Sequence, residues 1–134
     1  MADTALPVIK AVIAALKAAS TVSVLVGSRV YSDVPQGGAF PYVKVSVQSE
    51  PFAASDFSGQ SHTVRLQAFS REASIEECLA IRAAGLNALD RHEDALSLDA
   101  GSLVKCEYSG FSDAFIEDDG KTWQSICEFN VVVV

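Results

Sequence analysis

Residues 103–134 read LVKCEYSGFSDAFIEDDGKTWQSICEFNVVVV, two apolar-alternating runs on either side of Asp118-Asp119-Gly120-Lys121. Asp-Gly between alternating runs is the strongest short-range signal for a β-hairpin. A two-residue turn at Asp119-Gly120 sets Trp123 beside Ile116, Cys127 beside Ser112, Phe129 beside Gly110, Val131 beside Tyr108 and Val133 beside Cys106. One face of that hairpin must pack on other elements. The opposite face carries Phe111, Phe115, Ile126, Val132 and Val134 among Glu107, Asp113, Glu117, Glu128 and Asn130. A sheet that meets only water on one side reads polar there. The apolar residues therefore predict either a partner surface or a sheet curled enough to bury part of both faces.

Working outward, Tyr42–Gln48 and Thr63–Phe69 alternate in the same way, with Val43, Val45, Val47 and Val64, Leu66, Ala68 inward. The Ser-, Ala- and Gly-rich stretch Glu50–Ser61 between them reads as a long loop with Phe52 and Phe57 on it. Leu6–Ala19 has apolar residues at 6, 9, 12, 13 and 16, a helical stripe that Thr4 can cap. Thr21–Val26 reads as a further helical turn ended by Gly27, and Asp33–Pro41 as a loop. Ser74-Ile75-Glu76-Glu77 has the form of a capping box opening a helix to about Leu89, along which Ile75, Cys78, Leu79, Arg82, Leu86 and Leu89 line one side. Leu96-Ser97-Leu98 reads as a short edge strand. Hairpin-joined strands with few helices predict an α+β fold: one antiparallel or mixed sheet of four to five strands with two helices packed on one face, as a single domain over residues 1–134.

Charge narrows the function. The chain of 134 residues carries a net −7. Residues 1–49 hold four basic and two acidic side chains, whereas residues 50–134 hold six basic and fifteen acidic ones. So acidic a surface is unsuited to gripping free nucleic acid. The longest apolar run, Ala11–Ala19, is interrupted by Lys17 and falls short of the roughly 18 residues of a membrane span. Met1-Ala2-Asp3-Thr4 lacks the positive start of a secretory leader. A protein acting in the cytoplasm and away from membranes is expected. A charge split of this kind also suits a molecule whose two sides meet head to tail.

Catalytic constellations are missing from the pattern. Cys78, Cys106 and Cys127 form no C-x-x-C and read as buried thiols. His92, Glu93 and Asp94 are consecutive and cannot converge on one metal from a helix. The Asp113–Asp119 acids lack the ligand spacing of a calcium loop. Gly37-Gly38 lacks the Lys-Ser/Thr of a phosphate loop, and no G-x-S-x-G elbow occurs. No enzyme, cofactor or metal is expected. A small intracellular binding or regulatory domain is the alternative reading.

The run Val24-Leu25-Val26-Gly27-Ser28-Arg29-Val30-Tyr31-Ser32-Asp33-Val34-Pro35-Gln36-Gly37-Gly38-Ala39-Phe40-Pro41-Tyr42-Val43 resembles the signature of the tailed-phage tail completion family. The resemblance continues through His62–Arg71, Leu96–Gly101 and Asp118–Trp123. It implies a tail terminator, or head-tail joining protein, of a phage, a prophage or a gene transfer agent. Such a protein forms a ring, typically hexameric, at the head-proximal end of the tail. There it stops tail-tube polymerisation and presents a surface to the head connector, with DNA passing through its lumen unbound. Loop length and composition nominate contact residues for such a ring: Pro35, Gln36 and Phe40 in one loop, Phe52 and Phe57 in another, and Phe111, Phe115, Asp118, Asp119, Lys121 and Ile126 on the hairpin.

Overall fold

The computed structural model describes residues 3–54 and 57–134, the side chains of Phe52 and Phe57 lying outside that description. Helices α1 (Ala5–Ala18) and α2 (Ser20–Val26) lead into a short strand β1 (Val30–Tyr31), followed by β2 (Tyr42–Ala54), β3 (Phe57–Ser70), helix α3 (Glu76–Leu89), a 3-10 turn (Glu93–Ala95), β4 (Leu103–Ile116) and β5 (Trp123–Val133). The strands form one five-stranded sheet in the order β1-β2-β3-β5-β4. β1 runs parallel to β2 and all other neighbours are antiparallel. The fold is thus α+β with a mixed sheet. Leu96-Ser97-Leu98 pairs with no strand and follows the 3-10 turn instead.

The helices cover one face of the sheet. Val8, Ala11, Val12, Ala15 and Leu16 of α1 are buried, while Leu6 is exposed. The buried stripe is rotated from the one counted on large residues, because Ala11 and Ala15 let the helix lie close to its neighbours. Gly27, at φ 61°, ends α2 where an L side chain would be strained. Across α1 and α2 the chain bends by 83°, and no single helix among the described residues is long and apolar enough to cross a membrane.

Neither sequence-predicted helix cap forms. The Thr4 hydroxyl turns into the protein towards Gln60 and His62. Glu77 accepts a 2.7 Å hydrogen bond from the Ser70 hydroxyl, so it fastens α3 to the end of β3 rather than closing a box with Ser74. On α3 the buried residues are Cys78, Ile81, Ala84, Gly85 and Leu89, and the Arg82 head reaches the Asp113 carbonyl at 2.9 Å.

Gly85 faces Leu66 beside a small void that both residues line, together with Leu16, Val22, Val43 and Ile81. A Cβ added there would lie 3.1 Å from Leu66 Cδ1, a side-chain atom free to yield into the void. Gly85→Ala is therefore expected to stabilise the protein by about 0.5–1 kcal/mol, the helix-propensity difference. Thermal unfolding monitored by circular dichroism measures it, and a lowered midpoint would show that Leu66 cannot move.

Within the stretch expected to be a loop, residues 50–54 and 57–61 are strand. β2 and β3 stay in register without a shift from Tyr42↔Phe69 to Ala54↔Phe57, making a long two-stranded arm. β5 accompanies β3 only as far as Gln60↔Val133, so the arm's outer part pairs only within itself among the described residues.

The hairpin keeps the expected register near its turn, with Trp123 opposite Ile116 and Cys127 opposite Ser112. It then slips. Irregularities between Tyr108 and Ser112 and between Leu103 and Lys105 put Phe129 opposite Tyr108, Val131 opposite Cys106 and Val133 opposite Leu103. Gly110 supplies φ 93° at the first bulge, a conformation open to glycine.

Candidate functional site: an assembly interface

The sheet face away from the helices is largely polar in its centre, contrary to the apolar surface expected there. Arg65 and Glu128 form an ion pair at 2.7 Å, and Gln67 donates to Gln124 at 3.1 Å. Ile126 lies on this face but is only 7% exposed. The bulge at Gly110 explains the change, because the Phe111 ring reaches to 6.0 Å from the Arg65 guanidinium across β5. The exposed apolar groups collect along β4 instead: Val104, Phe111, Phe115 and Ile116.

β4 is an outer strand of the sheet, and its free flank divides into two parts. Around Cys106 and Tyr108 the segment after α3 seals it. Arg91 N–H donates to the Cys106 carbonyl at 2.9 Å, Cys106 N–H donates to Glu93 Oε1 at 3.3 Å, and Tyr108 N–H donates to Asp90 Oδ1 at 2.9 Å. Beyond the bulge, Ala114 N–H turns away from β5 and is met only by its neighbour Asp113 Oδ1 at 2.8 Å. Ser112 and Ile116 share its direction, since backbone groups alternate along a strand.

The opposite flank belongs to β2. Val43 N–H donates to the Arg29 carbonyl at 3.0 Å, so Val43 faces β1. β1 pairs only with Val43 and Lys44. The parallel pairing of Tyr31 with Lys44 also engages the Val45 N–H, and by alternation Val47 and Ser49 turn their backbone groups outward beyond it. Pro51 is next in that series and has no N–H to offer, a feature that blunts strand edges. Among the described residues the sheet thus has two short stretches of outer strand without a strand partner on that side, around Val47–Ser49 and over 112–116, on opposite flanks.

A second feature joins two sequence-nominated loops. The Arg71 guanidinium stacks on the Phe40 ring at 4.3 Å and donates to Thr122 Oγ1 at 3.1 Å. Thr122 Oγ1 in turn donates to Asp119 Oδ2 at 2.6 Å, and Asp119 Oδ1 accepts the N–H groups of Lys121 and Thr122. Those hydrogen bonds, led by the Thr122 hydroxyl, hold the Asp119 carboxyl down at about 2. Partial burial and then the Asp119 charge push the nearby Glu117 carboxyl up. Phe40 also packs on Tyr42 at 5.1 Å, and Tyr42 stacks on Phe69 at 4.9 Å. Val34, Pro35, Gly37, Gly38, Phe40, Tyr42 and Arg71 line a shallow depression of about 440 Å³.

Of the nominated residues, Phe40 and Asp119 are therefore brought together by Arg71, with Pro35 and Gln36 exposed beside Phe40 and Asp118 and Lys121 beside Asp119. Phe111 and Phe115 lie along β4, and Ile126 is buried. Phe52 and Phe57 sit opposite Gly59 and Ala54 on the arm backbone, and their side chains lie outside the described residues. The open backbone edges, with Lys44, Val47 and Ala114, were missed. Pro51 at an outward position was the available signal for one of them.

No cluster of three or more His, Cys, Asp or Glu side chains among the described residues is placed to hold a metal. Burial pushes the Cys106 and Cys127 thiols up to about 12, which keeps them protonated and poorly nucleophilic.

A structure described as "Virion of native gene transfer agent (GTA) particle" contains a chain with the same fold, at a TM-score of 0.88 and 23% identity, over 99% of this chain and 98% of that one. Comparison with curated proteins gives no match. The family described as "Tail completion protein gp17" matches residues 10–134. With more than nine-tenths of its length matched, the chain is a member of the tail completion protein gp17 family, a family of phage-tail structural proteins.

Proposed function

We propose that this chain is the terminator of a phage-like tail: copies of it close into a ring, six being the number the family resemblance implies, which caps the tail tube, halts its growth and offers a surface to the head connector. Each copy acts as one domain. The observation that supports this reading is the pair of sheet flanks that, among the described residues, lack a strand partner: β2 beyond β1 and β4 beyond the Gly110 bulge. An interface between unlike patches builds either a closed ring or an open filament, and a closed ring gives a tube a definite end. The Arg65–Glu128 pair leaves the helix-free face without an unopposed Arg65 charge, and six copies at −7 give the ring a strongly acidic character. A lumen of that chemistry lets DNA pass without holding it. The reading assigns no catalysis and no cofactor, and places the ring at the head-proximal end of the particle.

Adding the purified protein to polymerising tail-tube protein tests it. Tubes of bounded length with a ring of density at one end, seen by negative-stain microscopy, are the expected result. Tubes that grow unaltered while the protein stays a free monomer would sink the reading.

A further inference from the structure

Given the ring reading, on which this inference rests, we propose that neighbouring copies join head to tail through side chains at one height of the sheet. Asp113 and Phe115 on the β4 flank of one copy meet Lys44 and Tyr31 on the β1 flank of the next. The strand register carries this. Residues paired across strands share a face, and one row of the helix-free face reads Tyr31, Lys44, Gln67, Ile126 and Asp113 from flank to flank. The adjoining row reads Tyr42, Phe69, Gln124 and Phe115. Copies in a closed ring are related by rotation without rise. With the strands along the ring axis, the two ends of a row therefore stand at one height, and the β4 end of one copy arrives against the β1 end of the next.

Backbone pairing cannot make this join. β4 lacks a strand partner on its outer side over 112–116, and the register sets Ser112 level with Val45, where β1 covers β2. β2 lacks one around Val47–Ser49, and Val47 is level with Tyr108, whose N–H Asp90 already accepts. At a common height each open stretch of one copy thus faces a closed stretch of the next. The union is left to side chains.

Their chemistry is complementary. Among the described residues neither Lys44 nor Asp113 has an ion-pair partner within its own copy. Asp113 Oδ1 accepts from the Ala114 N–H at 2.8 Å, which leaves Oδ2 to the incoming ammonium or to the Tyr31 hydroxyl. Phe115, 39% exposed, stands one row away and packs on the Tyr31 ring, which lies 6.1 Å from that of Tyr42 in its own copy. The flanks also differ in sign. Residues 103–122 hold five acidic and two basic side chains, whereas residues 27–44 hold two basic and one acidic. Two β4 flanks brought together would set Asp113 and its acidic neighbours against like charge, so the occupant of the β4 flank is the opposite flank of a second copy.

Charge exchange reads the contact. Asp113→Lys and Lys44→Glu each set like charges across every interface, and each is expected to weaken association roughly two- to fivefold per interface. Mixed in equal amounts, the two variants can alternate around an even-numbered ring with opposite charges at every contact, and association is expected to recover. Phe115→Ala is expected to weaken it about tenfold, as for an aromatic anchor. Light scattering across a concentration series, alone and with tail-tube protein, follows association once circular dichroism has shown that each variant is folded. A short bismaleimide linker gives an independent reading, because the native thiols are buried. A chain with both Tyr31→Cys and Phe115→Cys is expected to link into a ladder that ends at the ring, while either single variant stays unlinked. Should a charge variant not fold, the ladder decides. Linked pairs from Phe115→Cys alone would mean that β4 meets β4, and would overturn the contact. An assembled ring that ignores charge reversal, or a doubly substituted ring that yields no ladder, overturns it too and leaves the ring reading standing. A wild-type protein that stays monomeric even on tubes overturns both.

Discussion

Truncating Phe129 to alanine is expected to cost about 3–5 kcal/mol, the usual range for removing a buried aromatic ring from a core that cannot collapse around the gap. A domain of this size has roughly 5–15 kcal/mol in hand, so the variant will be marginal or unfolded. The position explains the size of the effect. Phe129 is fully buried in β5, between Val64 on β3 and Tyr108 on β4, and its ring meets that of Tyr108 at 6.2 Å. Both pairings of β5 therefore depend on its side chain. Urea unfolding followed by circular dichroism measures the loss. Phe111→Ala is the comparison: that ring is 45% exposed, and its removal should cost within about 1 kcal/mol. Equal losses from the two variants would show that β5 does not carry the core.

The slip in the β4–β5 register shows what the sequence can and cannot disclose. Strand identity was legible because Trp123 and Phe129 alternate with Gln124, Glu128 and Asn130 and lead into the β-branched run Val131–Val134, and the turn was legible from Asp119-Gly120. From the turn to Cys127 the deduced pairing holds. Bulges carry no such mark. Gly110 is one glycine in a strand, and nothing in a period of two says whether it widens a turn, bends a strand or merely sits there. The consequence reaches the nominated hairpin residues, because the bulge precedes Phe111, whose ring lies 6.0 Å from the Arg65 guanidinium, and separates the sealed part of β4 from the open part. The arm was hidden for a different reason. Its residues, rich in Ser, Ala and Gly, show no strict apolar alternation, so the pairing from Glu50↔Ser61 to Ala54↔Phe57 left no period of two to read. α1 was misplaced by a fraction of a turn because Ala11 and Ala15 pack tightly yet count for little in a tally of large residues. The nominated loops were read as separate segments, and their connection through Arg71 required three dimensions.

Acid should loosen the base of the arm before it unfolds the rest, and His62 is the group that makes this so. Its ring is fully buried. Nε2 lies 2.8 Å from Thr4 Oγ1, and Nδ1 lies 2.7 Å from Ser49 Oγ. The Thr4 hydroxyl donates to Gln60 Oε1 at 3.0 Å, and so accepts from Nε2–H, which leaves Nδ1 to accept from Ser49. That arrangement suits a neutral ring, and burial accordingly lowers its pKa, opposed in part by the Asp3 charge. The unfolded chain therefore binds the proton first as pH falls. Stability from this group is complete above its unfolded value of about 6.5 and declines below it until the folded pKa is reached, by at most about 1.4 kcal/mol per pH unit. Because Thr4 precedes α1 and Ser49 lies on β2, the loss is felt where the N-terminal helix meets the arm. His62→Ala removes the ring and orphans both hydroxyls, and is expected to cost about 2–4 kcal/mol at neutral pH. His62→Gln retains groups able to reach one or both hydroxyls, so it should cost less while removing the titration. Urea midpoints measured from pH 7.5 to 5 should therefore fall for wild type and stay flatter for His62→Gln. Parallel pH profiles for the two proteins would show that His62 takes its proton equally well folded and unfolded, and that the buried network does not discriminate between its charge states.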